Sequence, residues 1–203
     1  MKVLSSFHPT KRLLVETVVK MLDRKAPSDI LAEEVLESSG VSKGSMYHHF
    51  EDLQELVETA QIYRYSKWID ASIYFMTTAV ISAKSKDELR KSMIQLTEFT
   101  QSDERKSARA ERAYALAASF DNPRMAKQMG EQTKRLTDAI TDVVEEVKNK
   151  GFFKESVDAL AVATFIQAYT LGKIVNDHNP SGITESAWNA FIMNIVDHTY
   201  MAD

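Results

Sequence analysis

Apolar residues recur along this chain at the spacing of amphipathic helices, beginning close to the N-terminus. Leu14, Val18, Met21 and Leu22 fall at i, i+4, i+7 and i+8, which predicts a helix over about residues 9–25. Similar stripes follow in the later segments, and none of those segments shows a strand signal. We therefore predict an all-α protein.

The middle of the chain carries clear signals for helix ends. Asp52-x-x-Glu55 resembles a capping box and predicts the start of a long helix that runs to Ala71 or beyond. A break is expected near residues 82–85, followed by helices that include residues 103–119 and a segment beginning at Asn122-Pro123. Gly151 is expected to end that segment.

The last two predicted helices differ from the others because their apolar residues cover more than one face. Two stripes run through residues 156–176, and one broad stripe follows the turn at residues 179–182. Such helices must bury apolar residues on two faces, one against their own chain and one against another surface. This favours packing against the same pair of helices in a second subunit. A monomer with a buried helical hairpin is the alternative. The predicted interface residues are Leu160, Thr164, Ala168, Leu171, Trp188, Ile192 and Ile195.

Composition is that of an ordinary globular protein. The 203 residues are 44% hydrophobic and 27% charged, which suits one large or two small domains. With no cysteine and no apolar run after Met1, we expect a cytoplasmic protein without a disulfide framework or a membrane span. The net charge is −4, but the first fifty residues carry a slight basic excess, so the acidic total does not exclude DNA binding.

The segment from Gly40 to Phe50 carries the most specific chemistry. Gly40 can take the positive φ that ends a helix, and Ser42 is a favourable N-cap for a helix that begins at once. Met46 and Phe50 are four residues apart and share a face that can be buried. The other face carries side chains able to reach phosphates or base edges, which is typical of a helix-turn-helix. A plain helical corner with its aromatics in the core is the alternative.

This segment resembles the DNA-binding signature of TetR-type bacterial transcriptional regulators. The resemblance covers roughly residues 10–60 and implies a three-helix DNA-binding head at residues 1–52, followed by a helical effector-binding and dimerisation body at residues 53–203. It is carried by Val35-Leu36-x-x-Ser39-Gly40-Val41-Ser42-Lys43-Gly44-Ser45-Met46-Tyr47-His48-His49-Phe50 and by Asp52-Leu53-x-x-Leu56. The DNA-facing residues, from the outward face and the resemblance together, are Ser42, Lys43, Gly44, Ser45, Tyr47 and His48.

Two positions depart from the family pattern. Leu31 stands where the family usually has a threonine that caps the helix before the turn. Leu53 stands where the family frequently has a lysine. This chain therefore lacks the phosphate contact that the family pattern implies for that lysine.

The resemblance implies a regulator, expected to be a repressor, that binds a palindromic operator in double-stranded DNA as a homodimer. It also implies release by a small apolar or aromatic effector, and no cofactor is expected. Aromatic and methionine side chains in the middle of the chain could line the effector cavity, and most of them could equally be core. The candidates are Trp68, Tyr74, Met93, Gln95, Phe99, Tyr114, Met125 and Met129.

Two other function classes remain open at this stage. An adaptor would keep the fold and bind a protein partner. An enzyme would need a catalytic or metal site, and neither a nucleophile elbow, a phosphate-binding glycine loop nor an HExxH motif is present. The repeated pairs Asp177-His178 and Asp197-His198 could supply metal ligands, but we interpret them as solvated helix ends and expect no metal and no catalytic residue.

Overall fold

Helices make up the regular structure of the computed structural model, which describes residues 7–202. No strand is present within this range, where one isolated antiparallel bridge joins Phe153 to Met201. The all-α prediction is confirmed. Residues 1–6 and 203, among them the basic Lys2, lie outside the described residues. The helices are α1 Pro9–Met21, α2 Ala32–Ser39, α3 Lys43–His49, α4 Leu53–Ile81, α5 Lys86–Gln101, α6 Lys106–Ser119, α7 Pro123–Asn149, α8 Ala159–Gly172, α9 Ile174–Asp177 and α10 Glu185–Ile195, with 3-10 turns at Pro27–Asp29 and Asp103–Arg105 and a π-helical turn at Val196–Tyr200.

The chain divides into two compact units. The first unit comprises the described residues as far as Asp70 together with Ala118–Gln132, and the second comprises Ala71–Ala117 and residues 133–202. Helices α4, α6 and α7 each pass from one unit to the other without a break. The domain boundary placed after residue 52 stays a prediction. The first unit extends beyond it because Leu56, Val57 and Ala60 of α4 are buried in its core.

The core of the first unit is formed by α1, α2, α3 and the beginning of α4. Leu14, Val15 and Val18 of α1 are fully buried, and Val35 of α2 is fully buried in the same cluster. Such burial contributes roughly 1.5–3 kcal/mol for each large aliphatic side chain.

Helix α1 is shorter than its apolar stripe suggested. It ends at Met21, whereas the sequence predicted a helix to about Lys25. The amide N–H groups of Arg24 and Lys25 both donate to the carbonyl oxygen of Met21, so the chain turns at this point. Arg64 of α4 stabilises the turn, because its Nη1 donates to the carbonyl oxygen of Leu22 at 3.0 Å.

The long α4 confirms the prediction of a helix that continues beyond Ala71. Asp52 Oδ1 accepts from the N–H of Glu55, and the Glu55 carboxylate accepts from the N–H of Glu51 one residue before the position a capping box would use. The break near residues 82–85 is also confirmed, and Ser85 caps α5 by accepting from the N–H of Glu88.

The second unit contains a helix break that the sequence did not indicate. The single helix predicted over residues 156–176 is α8 followed by the short α9, with Lys173 between them. The Lys173 side chain is buried and lies 3.5 Å from Asp103 and 3.6 Å from Asp177, so the break brings a cation into the interior beside two carboxylates. Helix α10 packs on α5, where the Trp188 Nε1–H donates to the buried Gln101 at 3.1 Å.

None of the helices between residues 7 and 202 combines the length and the apolar composition that a bilayer crossing requires.

Candidate nucleic-acid interface

The turn between α2 and α3 has the geometry that the sequence predicts. Gly40 ends α2 with φ +67°, a conformation that disfavours any residue with a Cβ. Ser42 has an extended conformation, and its Oγ accepts from the N–H of Ser45 at 3.2 Å. Helix α3 therefore starts only a few residues after α2 ends, and the two helices are held in one fixed arrangement.

Helix α3 has one buried face and one exposed face. Met46 is fully buried, and Phe50, directly after the helix, is 2% exposed, so both anchor α3 to the core of the first unit. Both of these anchoring predictions are confirmed. Among the predicted contact residues, Ser45 is partly buried, whereas Ser42, Lys43, Gly44, Tyr47 and His48 are exposed. Their contact with DNA remains a prediction, but the fold leaves most of this face open to a ligand.

The two residues that depart from the family pattern, Leu31 and Leu53, both lie at the start of a helix. Leu31 is the N-cap residue of α2 and supplies no side-chain hydrogen bond, while its own side chain is 57% exposed. Leu53 is the first residue of α4, and its side chain packs against the core of the first unit. Neither leucine can replace the hydrogen bond or the positive charge of the residue that the family pattern has there.

Basic side chains from the start of α1 lie beside the end of α3. The Lys11 ammonium is held 4.9 Å from the ring centre of Phe7 and 4.7 Å from that of Phe50. The imidazole of His8 stacks on that of His49 with 5.1 Å between ring centres. The predicted DNA-contact residues do not include His8 or His49, since no spacing rule connects the N-cap of α1 with the last residue of α3.

Three basic side chains act on the His49 imidazole. Partial burial lowers the pKa of His49, and the positive charges of His8, His48 and Lys11 lower it further. The neutral imidazole is therefore the favoured form of His49 in the free protein at neutral pH.

The predicted effector-binding residues fall into both units. Trp68, Met125 and Met129 belong to the first unit, where the two methionines are 1% exposed. The other five, which belong to the second unit, are Tyr74, Met93, Gln95, Phe99 and Tyr114. Tyr74 is 73% exposed and Tyr114 is 52% exposed, so the single chain leaves them on its surface. The effector site stays a prediction.

An aromatic cluster surrounds one of these candidates. The ring of Phe99 lies 4.9 Å from that of Phe75, and the guanidinium carbon of Arg105 lies 3.7 Å from the Phe99 ring centre. Phe99 is therefore packed on two sides by its own unit, although it is 44% exposed.

The predicted dimer-interface residues differ in how far their side chains are exposed to solvent. On α8, Leu160 is 57% exposed, Thr164 and Ala168 are also exposed, and Leu171 is partly buried. On α10, Trp188 and Ile195 are partly buried, whereas Ile192 is 2% exposed and belongs to the interior of its own chain. Val175 and Phe191, which belong to the same apolar stripes but not to the predicted interface residues, are also exposed.

One of the two Asp-His pairs is not a solvated helix end. The Asp177 side chain is 5% exposed and accepts two hydrogen bonds from the fully buried Arg109, at 2.7 and 2.8 Å. The solvated interpretation was therefore wrong for Asp177, because its partner lies far away in the sequence. Asp197 is also paired, with both of its oxygens 2.8 Å from Arg90. Within residues 7–202, no three His, Cys, Asp or Glu side chains are grouped so that they could hold a metal ion.

Comparison with known proteins identifies the fold. No protein-family model and no curated protein sequence matches the chain. A proposed TetR-family transcriptional regulator from Mesorhizobium loti MAFF303099 superposes with a TM-score of 0.71 at 15% identity, over 95% of this chain and 97% of that one. A proposed transcriptional regulator from Saccharomonospora viridis, solved with choline, gives 0.67 at 14% identity over 95% and 98%. A TetR-family regulator from Cytophaga hutchinsonii gives 0.64 at 14% identity over 93% and 91%. The chain therefore has the fold of the TetR-family transcriptional regulators.

Proposed function

We propose that this protein is a TetR-type transcriptional regulator that binds double-stranded DNA with the exposed face of α3. The observation that carries the proposal is the arrangement of α3 itself. It is capped by Ser42, anchored by Met46 and Phe50, and exposed along the face that contains Lys43 and Tyr47. A helix fixed in this way can enter the major groove as a rigid unit, which is how helix-turn-helix proteins dock.

The side chains on this face suit the two kinds of contact that DNA offers. Lys43 is the first residue of α3, and its side chain is exposed, so its ammonium is placed to contact a phosphate. A Cβ added at Gly44 would meet no other atom within 4 Å, so the backbone is open there and DNA can approach it closely. Tyr47 and His48 follow on the same exposed side and can donate to phosphates or base edges.

A dimer would present two copies of α3 to DNA. The exposed apolar residues Leu160 and Ala168 of α8 and Phe191 of α10 support an interface formed by these two helices. Two heads related by a two-fold axis would bind an inverted repeat, with half-sites roughly 34–36 Å apart or further if the heads are splayed. We leave Ile192 out of this interface because it is buried in its own chain.

Repression relieved by a small effector is the mode of action that we propose. Helix α4 starts directly after the α3 segment and continues from the first unit into the second, so a change in its direction would move α3. An effector can shift this equilibrium only by its different affinity for the two forms, typically by about 1–3 kcal/mol. The choline-bound protein from Saccharomonospora viridis shows that a regulator of this fold can be solved with a small molecule.

Selection from a random duplex library tests the proposed function. The protein is expected to enrich an inverted repeat, and its affinity for the selected duplex should fall steeply as salt rises, because bound Lys and Arg release counterions from the phosphates. Equal retention of every sequence, with no dependence on salt, would contradict the proposal.

A further inference from the structure

Three imidazole rings lie together at the C-terminal end of α3. The ring of His8, at the N-cap of α1, is 5.1 Å from that of His49 with an angle of 28° between the planes. The ring of His48 meets that of His49 edge-on, also at 5.1 Å. His8 and His48 are exposed and His49 is partly buried, so a molecule bound along the exposed face of α3 can reach this group.

A capping hydrogen bond at the start of α1 holds the His8 side chain in place. Its Nδ1 accepts from the N–H of Thr10 at 3.3 Å, and its ring lies stacked on that of His49.

The charged groups that shift the pKa of His49 come from two helices. His8 and Lys11 act from α1, and His48 acts from its own helix. Lys11 is fixed in place because its ammonium lies over the rings of Phe7 and Phe50. A phosphate bound beside His49 would counter these positive charges and favour the protonated imidazole.

We infer that His49, stacked on His8, takes up a proton when a DNA phosphate binds beside it, so that DNA binding by this chain tightens as the pH falls. The inference rests on the proposed function and adds His8 and His49 to the predicted contact surface. One proton taken up on binding changes the affinity by up to about tenfold per pH unit between the free and bound pKa values of the imidazole.

The test is the affinity for the selected duplex between about pH 6 and 8 at constant ionic strength, the range in which histidine titrates. The parent protein should bind more weakly as the pH rises, by up to about tenfold per unit. His49→Gln should bind with little dependence on pH, whereas the control His178→Asn, which lies in the second unit, should keep the parental dependence. If the affinity of His49→Gln depends on pH as strongly as that of the parent, or if the affinity of the parent does not depend on pH, the inference is overturned.

A second measurement does not depend on the stability of any variant. The His49 imidazole is titrated by NMR in the free protein and in its complex with the duplex. The pKa of His49 should be higher in the complex, and an unchanged pKa would overturn the inference. His8→Asn retains a capping oxygen and removes the stacked ring, so it should raise the pKa of His49 in the free protein. DNA binding without pH dependence would refute this inference alone, whereas failure to bind duplex DNA at any pH would refute the proposed function as well.

Discussion

Arg109 and Asp177 form a buried bidentate ion pair in the second unit. Arg109 is fully buried, and its Nε and Nη2 lie 2.7 and 2.8 Å from the two oxygens of the 5% exposed Asp177. Arg109 Nη1 also donates to the carbonyl oxygens of Thr100 and Ser102. The pair therefore ties α6 to α9 and to the end of α5.

Loss of the Asp177 carboxylate should destabilise the protein strongly. Asp177→Asn would leave Arg109 buried without its counter-charge, and breaking one side of such a pair costs about 3–5 kcal/mol. The free energy of unfolding, measured in urea, checks this. The matched control is Asp138→Asn, which removes an exposed i,i+4 pair with Lys134 and should cost less than about 1 kcal/mol. Equal losses in the two variants would show that the buried pair has no special role.

The same pair predicts sensitivity to acid. Burial opposes ionisation of Asp177, but the hydrogen bonds and charge of Arg109, with the charges of Lys173 and Lys106, outweigh burial and lower its pKa. Because the folded pKa lies below the unfolded value of about 3.9, the stabilisation is present above that pH and is lost as the pH falls through the folded pKa. Unfolding free energies measured from about pH 6 down to 3 should fall in the parent, and less steeply in Asp177→Asn. Parallel profiles would exclude Asp177 as a source of the acid sensitivity.

Dimerisation should depend on exposed residues of α8 and α10. Glutamate at two such positions, in the double variant Ala168→Glu and Phe191→Glu, should give folded monomers, because a dimer would have to bury two charges in each subunit. Sedimentation velocity measures the assembly, and circular dichroism checks the fold. Tyr74→Glu, at a 73% exposed position outside these helices, is the control and should remain dimeric. A parent protein that sediments as a monomer at micromolar concentration would contradict the proposed interface.

A capping residue at position 31 should stabilise the first unit. Leu31 occupies the N-cap of α2 in an extended conformation, with no side-chain hydrogen bond and 57% exposure. Leu31→Thr would supply an acceptor for the first turn and should raise the free energy of unfolding by about 1 kcal/mol. Leu31→Ala, which removes the same side chain without adding an acceptor, should give no such gain. If both variants behave alike, the missing cap is not what limits α2.

Local signals in the sequence were sufficient to predict the turn and α3. The φ of Gly40, the cap by Ser42 and the burial of Met46 and Phe50 all depend on residues within a few positions of one another. The break at Lys173 could not be predicted in this way, because the buried Lys173 side chain pairs with Asp103, far away in the sequence.

The candidate sites also contain contacts that the sequence pattern of a single helix cannot predict. Ile192 belongs to the apolar stripe of its helix, but the stripe does not reveal which part faces the interior of its own chain. The stacking of His8 on His49 joins two helices that no periodicity connects. Such pairings are set by tertiary packing, which the pattern of a single helix does not contain.

Binding of DNA by the exposed face of α3 is checked by the salt dependence of affinity for the selected duplex. Lys43→Ala should lower the magnitude of the slope of log K against log salt by about 1, because one phosphate contact is lost. Tyr47→Ala should weaken binding with the fold intact, and Lys91→Ala, which removes an exposed lysine from α5, should leave the slope unchanged. If Lys43→Ala and Tyr47→Ala both bind the duplex with the parental affinity and slope, this face of α3 is not the DNA-binding surface.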